Sequence, residues 1–300
     1  MYEIIGKILY TLEKYEKKRL FAITRRNILY IIWFLVYFTW SISLVQPFFG
    51  SLGASFFFTL LLHGGSLAIA YFFGDFIFGL IEGIRPIETK REKDYLTPLF
   101  EEVYQDVKEL YPDLPQIRLH IVDSLTVNAI AIGNRTIAVT QGAIETFDSE
   151  ELKGIMAHEM SHIYYGDTKA IIFNTIGNGI FSICVFIVKA VLRMLDNISA
   201  KNESKGIQSA FGFIRAILEM SVFFMLFMGS LILSFNSRRN EFKADKFAYE
   251  AGYGGQLTEA LYILQKMSLG QKVKLVHRLQ ASHPRISKRI AKLEALEDVA

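Results

Sequence analysis

The sequence predicts a mainly α-helical integral membrane protein with a small β-hairpin or sheet and about four transmembrane helices. Two observations support this class. Of the 300 residues, 51% are hydrophobic and 21% are charged, and the mean hydropathy is +0.27, which is unusual for a soluble chain. No Asp, Glu, Lys or Arg occurs in the 48 residues between Arg26 and Asp75. That stretch is long enough for two membrane passes of ~20 residues each.

The N-terminal arm and the first hairpin follow from the distribution of charge. Residues 1–26 carry seven Lys or Arg and apolar residues at helical spacing. This pattern fits either an amphipathic helix at a membrane surface or a solvated arm. The charge-free stretch divides at Pro47 and Gly50 into spans near residues 29–45 and 54–74. Basic residues beyond both ends of the hairpin predict that both ends lie on the cytoplasmic side.

Residues 95–168 have the pattern of a soluble segment. Their periodicity predicts a helix over residues 95–110 and a strand around residues 117–121. Two further strands, residues 127–132 and 136–140, flank Gly133-Asn134, which is a hairpin turn signal.

The next predicted helix is marked at both ends. It begins at Asp148, with Glu151 three residues later completing a capping box, and it ends at Gly166.

Two more apolar runs predict a second hairpin. Residues 170–188 and 220–237 are charge-free over 19 and 18 residues, so each could span a bilayer or form an interfacial hairpin that does not cross. The predicted organisation is an arm (1–26), a transmembrane hairpin (27–84), a first soluble part (85–169), a second transmembrane or membrane-associated hairpin (170–237) and a second soluble part (238–300).

The residues that indicate chemistry are His158, Glu159 and His162. Positions four apart on a helix share a face, so the two histidines can offer ring nitrogens to one tetrahedral Zn²⁺. Glu159, one position round the helix, can serve as general base for the attacking water. This spacing is typical of zincin metalloproteases, and the alternative is a pair of surface histidines beside an acidic residue.

A catalytic zinc site requires a third protein ligand. The chain has one Cys, inside an apolar run, so this ligand must be His, Asp or Glu. Glu241 is the best candidate, because it lies in residues 237–245, an apparent helix that begins as the last apolar run ends. Asp245 lies one turn further on the same face and could accept a hydrogen bond from the free nitrogen of a ligating His. From spacing alone, an ordinary helix with an acidic pair is equally consistent.

The chain from about residue 96 to residue 296 resembles the HtpX-type membrane zinc metalloproteases, which are gluzincin-like relatives of the CaaX prenyl proteases. Five motifs in family order carry the resemblance, and two apolar runs lie between the second and third ligands. They are Asn128-Ala129, residues 139–142, residues 157–162 with the following Gly166-Asp167, residues 237–245, and Ser282-His283-Pro284. Val127 departs from the family, which often has Pro there.

The resemblance implies a role for each matching residue. The zinc ligands would be His158, His162 and Glu241, the general base Glu159, and the residue that orients a ligand His would be Asp245. Asn128 and His283 would act on the substrate side, Asn128 in binding and His283 in catalysis.

The implied function is a membrane-bound zinc metalloendopeptidase (EC 3.4.24) with one Zn²⁺ per chain. It would sit in the cell inner membrane as a multi-pass protein, with its catalytic domain facing the cytoplasm. The implied substrates are misfolded or unassembled membrane proteins, as in stress response and protein quality control. A CaaX-type prenyl-protein protease and a catalytically silent membrane scaffold are the alternatives. A net charge of +3 is too small to indicate nucleic acid as a partner.

Overall fold

The computed structural model describes residues 28–29, 31–201, 205–268 and 284–298. The predicted arm, residues 1–26, lies outside the described residues. The chain divides into two compact units. The first contains Gly74–Ile172 and the described residues from Ser234 onward, and the second contains Leu29–Phe73 and Phe173–Leu233.

The described part of the chain is mainly helical with one small mixed sheet, so the predicted fold class is confirmed. In chain order, its elements are α1 (Ile31–Phe49), α2 (Leu52–Glu82), β1 (Ile84–Arg85), α3 (Lys90–Leu110), β2 (Arg118–Val122), β3 (Ala129–Ile132), β4 (Thr136–Thr140), α4 (Gln141–Thr146), α5 (Ser149–Tyr164), α6 (Asp167–Lys201), α7 (Lys205–Glu250), α8 (Gly254–Ser268) and α9 (Ile286–Glu297).

Three helices among the described residues are long and apolar enough to cross a membrane: Ile31–Phe49, Leu52–Glu82 and Gly212–Glu250. They contain the first, second and fourth predicted apolar runs. The third run, residues 170–188, lies in α6, several of whose side chains are outside the described residues. A fourth crossing therefore stays a prediction. The second span is longer than predicted, because α2 continues past Gly74 to Glu82.

The helix that contains the fourth apolar run does not end where that run ends. The expectation was a new helix beginning near Ser237, but α7 is continuous for 46 residues. Neither Gly nor Pro occurs between Gly229 and Glu250, so nothing in the backbone chemistry interrupts the helix. One continuous helix therefore contains both the apolar run and the predicted acidic pair.

The second unit is a set of packed helices. The indole of Trp33 lies against Gly229, where an added Cβ would come within 2.9 Å of the ring nitrogen. His63 is buried, and its Nε2 lies 3.1 Å from the Ser41 hydroxyl. These contacts bring α1 close to α7 and to α2.

The first unit contains a four-stranded sheet in the order β1-β2-β4-β3. β2 and β4 pair in parallel, whereas β3 and β4 form the antiparallel hairpin that the sequence predicted. Gly133 occupies the turn with a φ of 58°, a conformation that favours glycine. β3 therefore forms one edge of the sheet.

Two capped helices pack with this sheet. Asp148 caps α5 and forms the predicted capping box with Glu151. α3 begins at Lys90, five residues before the prediction, because Thr89 and Glu92 form a second capping box. α5 contacts α3, α8 and the sheet. It approaches α8 so closely at Gly154 that an added Cβ would lie 2.5 Å from the backbone nitrogen of Leu257.

Candidate metal centre

Three of the predicted ligands come together in the first unit. α5 presents His158 and His162 from successive turns, and α7 presents Glu241 from its C-terminal half. One ligand atom from each of the three lies within 4.8 Å of the others. All three side chains are largely buried, which is the arrangement expected of a site that holds a cation rather than of a solvated surface pair.

The separations of the donor atoms fit one tetrahedral cation. The two Nε2 atoms of His158 and His162 lie 3.3 Å apart. Glu241 oxygens lie 3.6 Å from Nε2 of His158 and 3.4 Å from Nε2 of His162. Neighbouring ligands of a tetrahedral Zn²⁺ are roughly 3.3 to 3.4 Å apart when the bonds are about 2.0 to 2.1 Å long. The residues present therefore fit zinc in both donor chemistry and spacing.

Each histidine is held by an aspartate at its other ring nitrogen. Nδ1 of His158 lies 3.0 Å from Oδ1 of Asp245, and Nδ1 of His162 lies 2.9 Å from Oδ2 of Asp167. A carboxylate at Nδ1 favours the tautomer that carries its proton there, which leaves Nε2 to bind a cation. The amide of Asn240 also donates to Asp167, at 3.0 Å.

A buried arginine, Arg289, pairs with two of the acidic residues of α7, Asp245 and Glu241. Nε and Nη2 of Arg289 donate to Asp245 at 2.9 Å and 2.6 Å. Nη1 lies 3.2 Å from Oε2 of Glu241. Arg289 has an exposed fraction of only 7%, so its charge offsets carboxylates that would otherwise be costly to bury.

The carboxylates also act on the histidines of the metal-free protein. Burial lowers the pKa of His162, but hydrogen bonds with Asp167 and Glu241 outweigh it and raise the pKa to about 10. Burial and the charge of Arg289 likewise lower the pKa of His158, and the pairing with Asp245 and Glu241 produces a net rise. A cation must displace these protons when it binds, so metal uptake releases protons and weakens as the pH falls.

Glu159 and Asn128 line one cavity of about 500 Å³ together with the ligands His158 and Glu241. Glu159 is partly exposed on the same helix as the two histidines. Asn128 immediately precedes β3 and is exposed; its backbone nitrogen donates to the Thr140 hydroxyl at 3.0 Å. The cavity thus brings a carboxylate base, an amide side chain and two of the three ligands, His158 and Glu241, to one place. His283 lies outside the described residues.

Sequence reasoning missed Asp167, Asn240 and Arg289 as members of this site. Asp167 had a usable signal, since it follows the helix-ending Gly166 five residues after His162. Arg289 had none, because it lies in a basic segment whose charges are usually solvated.

Comparison with known proteins gives a consistent result. Residues 90–297 match the model of Peptidase family M48. The chain is 30% identical over 200 residues to "Protease HtpX homolog" of Desulfotalea psychrophila, which covers 61% of this chain and 68% of that protein. It is 27% identical over 215 residues to "Protease HtpX" of Shewanella baltica, covering 66% and 73%, and 33% identical over 223 residues to "Protease HtpX homolog" of Tropheryma whipplei, covering 71% of each.

Among solved structures, the chain is similar to Ste24p of S. mikatae. The TM-score is 0.50 at 18% identity, over 86% of this chain. The match spans 61% of the length of Ste24p, and at this identity it shows a shared fold alone.

Proposed function

The chain belongs to peptidase family M48, and from this premise we propose that it is a zinc-dependent endopeptidase. The family match and the relatives support a membrane metalloprotease similar to HtpX. The observation that carries the finer proposal is the cluster of His158, His162 and Glu241, with Glu159 in the same cavity. A silent scaffold would have no need of a buried His-His-Glu cluster together with a base.

Zinc held by this cluster would polarise the scissile carbonyl and acidify water. Glu159 accepts a proton from the attacking water while the oxygen of that water bonds to the carbonyl carbon. As the carbon–nitrogen bond breaks, Glu159 returns that proton to the leaving amine. Asp167 and Asp245 keep the two histidines oriented throughout, and Arg289 stabilises the charge of the buried carboxylates.

We propose that substrate binds as an extended segment along β3. Among the described strands, β3 pairs with β4 on one side only, so its other edge has backbone groups to offer. Asn128 lies at the start of this strand and lines the same cavity as Glu159. Pairing through the backbone would give broad sequence selectivity.

The proposed substrates are misfolded or unassembled membrane proteins, cleaved at the cytoplasmic face of the cell inner membrane. The apolar helices support a membrane location. Lys90, Arg91 and Lys93 follow the second span closely, and such basic clusters favour the cytoplasmic side. Reporter domains fused after residue 90 and at the C-terminus should both report cytoplasm. A reporter near Lys201 should report the opposite side if residues 170–237 cross.

The proposal is tested by metal analysis and two substrates. Purified protein should contain zinc, lose casein hydrolysis when a chelator removes the metal, and regain it with added zinc. A farnesylated peptide should be cleaved no faster than its unmodified counterpart. Faster cleavage of the farnesylated peptide would favour the prenyl-protease alternative, and zinc-free protein without proteolysis would favour the scaffold.

A further inference from the structure

The second unit contains an apolar cavity that the protease chemistry does not use. Its volume is about 380 Å³, and it lies between the C-terminal end of α1 and parts of α2, α6 and α7. The lining includes Pro47, Phe48 and Phe49, which directly precede the turn at Gly50. The cavity is therefore at the end of the hairpin, where membrane-spanning helices meet the headgroup region.

Water is a poor occupant of this cavity. The two hydroxyls among the lining residues both bond within their own helices, Ser43 to the carbonyl of Thr39 at 3.3 Å and Ser221 to that of Leu218 at 2.9 Å. Water requires two to four polar partners in such a space. An empty cavity would also be unfavourable, because its lining atoms lose their dispersion contacts. A hydrocarbon occupant needs no polar partners and restores the dispersion contacts of the lining atoms.

Cationic side chains stand beside the apolar lining. Lys189 follows the lining residue Val188, and its Nζ lies 3.2 Å from Oε1 of Glu219. Arg193, one turn further along α6, lies 3.8 Å from the same oxygen and is 59% exposed at its side chain. Two cations thus share one carboxylate next to the cavity, which leaves a net positive charge for an anionic group.

We propose that this cavity binds the acyl chain of an anionic phospholipid, with the lipid phosphate held by Lys189 and Arg193. The volume favours a lipid over a transmembrane peptide segment. Apolar cavities of about 150 Å³ accept benzene, so 380 Å³ suits a longer hydrocarbon segment. A transmembrane helix is about 10 to 12 Å across with its side chains, so it is far too wide to enter this cavity.

Native mass spectrometry of the full chain in detergent tests this binding, and it does not depend on proteolysis. The probes are palmitoyl-oleoyl phosphatidylglycerol, diacylglycerol with the same chains, and inorganic phosphate. Phosphatidylglycerol should be retained at one molecule per chain, diacylglycerol more weakly, and inorganic phosphate not at all. Replacement of Lys189 and Arg193 by Gln should weaken phosphatidylglycerol binding about tenfold or more and leave diacylglycerol binding unchanged.

A pair of matched substitutions tests the cavity itself. Ser221→Phe places a ring in the cavity and should weaken binding of both lipids at least about tenfold by filling their space. Ser230→Phe is the control, because Ser230 lies on the same helix, its hydroxyl donates to the carbonyl of Phe227 at 2.7 Å, and it does not line the cavity. Equal lipid binding by the two Phe variants would overturn the proposal, as would unchanged phosphatidylglycerol binding in the Gln variant. Retention of a polypeptide in place of lipid would also overturn it.

Discussion

Asp167 accepts a hydrogen bond from Nδ1 of His162, and its replacement by Asn tests whether the site depends on residues beyond the metal ligands. The side chain of Asp167 is 5% exposed, and the Nδ1–Oδ2 distance is 2.9 Å. Asp167→Asn preserves the shape but removes the negative charge. The amide of the introduced Asn can also point an N–H toward the imidazole, and Nδ1 of His162 would then have to accept a hydrogen bond instead of donating one.

The expected loss of zinc affinity follows from the strength of the hydrogen bond between His162 and Asp167. A hydrogen bond to a charged group contributes about 1.5 to 3 kcal/mol, and each 1.4 kcal/mol or so is a factor of ten in binding. His162 would also become a less basic ligand. Asp167→Asn should therefore weaken zinc binding about 10- to 100-fold, and excess zinc should restore part of the activity.

A competition titration against a chelator of known zinc affinity measures the effect. Asp106→Asn is the control, because Asp106 accepts a hydrogen bond from the Tyr253 hydroxyl at 2.6 Å and lies outside the metal site. The melting temperatures of both metal-free variants show whether each is folded. If Asp167→Asn binds zinc as tightly as Asp106→Asn, the contact does not tune the metal and the reasoning is wrong.

Three further predictions concern the first unit. Arg289→Ala leaves two buried carboxylates without their cation, so denaturation of the metal-free protein should show a loss of about 3 to 5 kcal/mol; unchanged stability would refute the assigned pairing. Gly154→Ala drives a methyl group into the backbone of Leu257, and overpacking should cost about 1 to 3 kcal/mol in the same assay. Hydrogen bonds from Arg85 and from the backbone nitrogen of Thr89 lower the pKa of Glu92 from 4.5 to about 2. The hydrogen bonds to the ionised carboxylate therefore stabilise the fold above pH 4.5, and this stabilisation is lost as the pH falls toward about 2. Glu92→Gln should make the free energy of unfolding less dependent on pH across that interval.

Much of the fold could be predicted from the sequence because its signals are local. The capping box at Asp148 and the turn at Gly133 each depend on a few neighbouring residues. The start of a new helix near Ser237 was predicted wrongly, because a fall in hydropathy marks the end of an apolar run and not the end of a helix. α7 crosses that point without a break.

The site was predictable to the extent that its chemistry repeats a known spacing. His158, Glu159 and His162 share one helix, so their pattern is visible in the sequence. Asp167 and Arg289 act through tertiary contacts, which spacing cannot reveal. Arg289 lies 131 residues beyond His158, and only folding brings its charge to the carboxylates.

The separation of metal binding from chemistry is the central claim of this account, and Glu159→Gln tests it most directly. Glu159 lines the cavity but is not one of the clustered ligands. Zinc content and casein hydrolysis should be measured on the same purified samples of wild type, Glu159→Gln and Glu241→Ala. Glu159→Gln should retain one zinc per chain and lose turnover, whereas Glu241→Ala should lose both. Sustained proteolysis by Glu159→Gln, or normal zinc content in Glu241→Ala, would contradict the account.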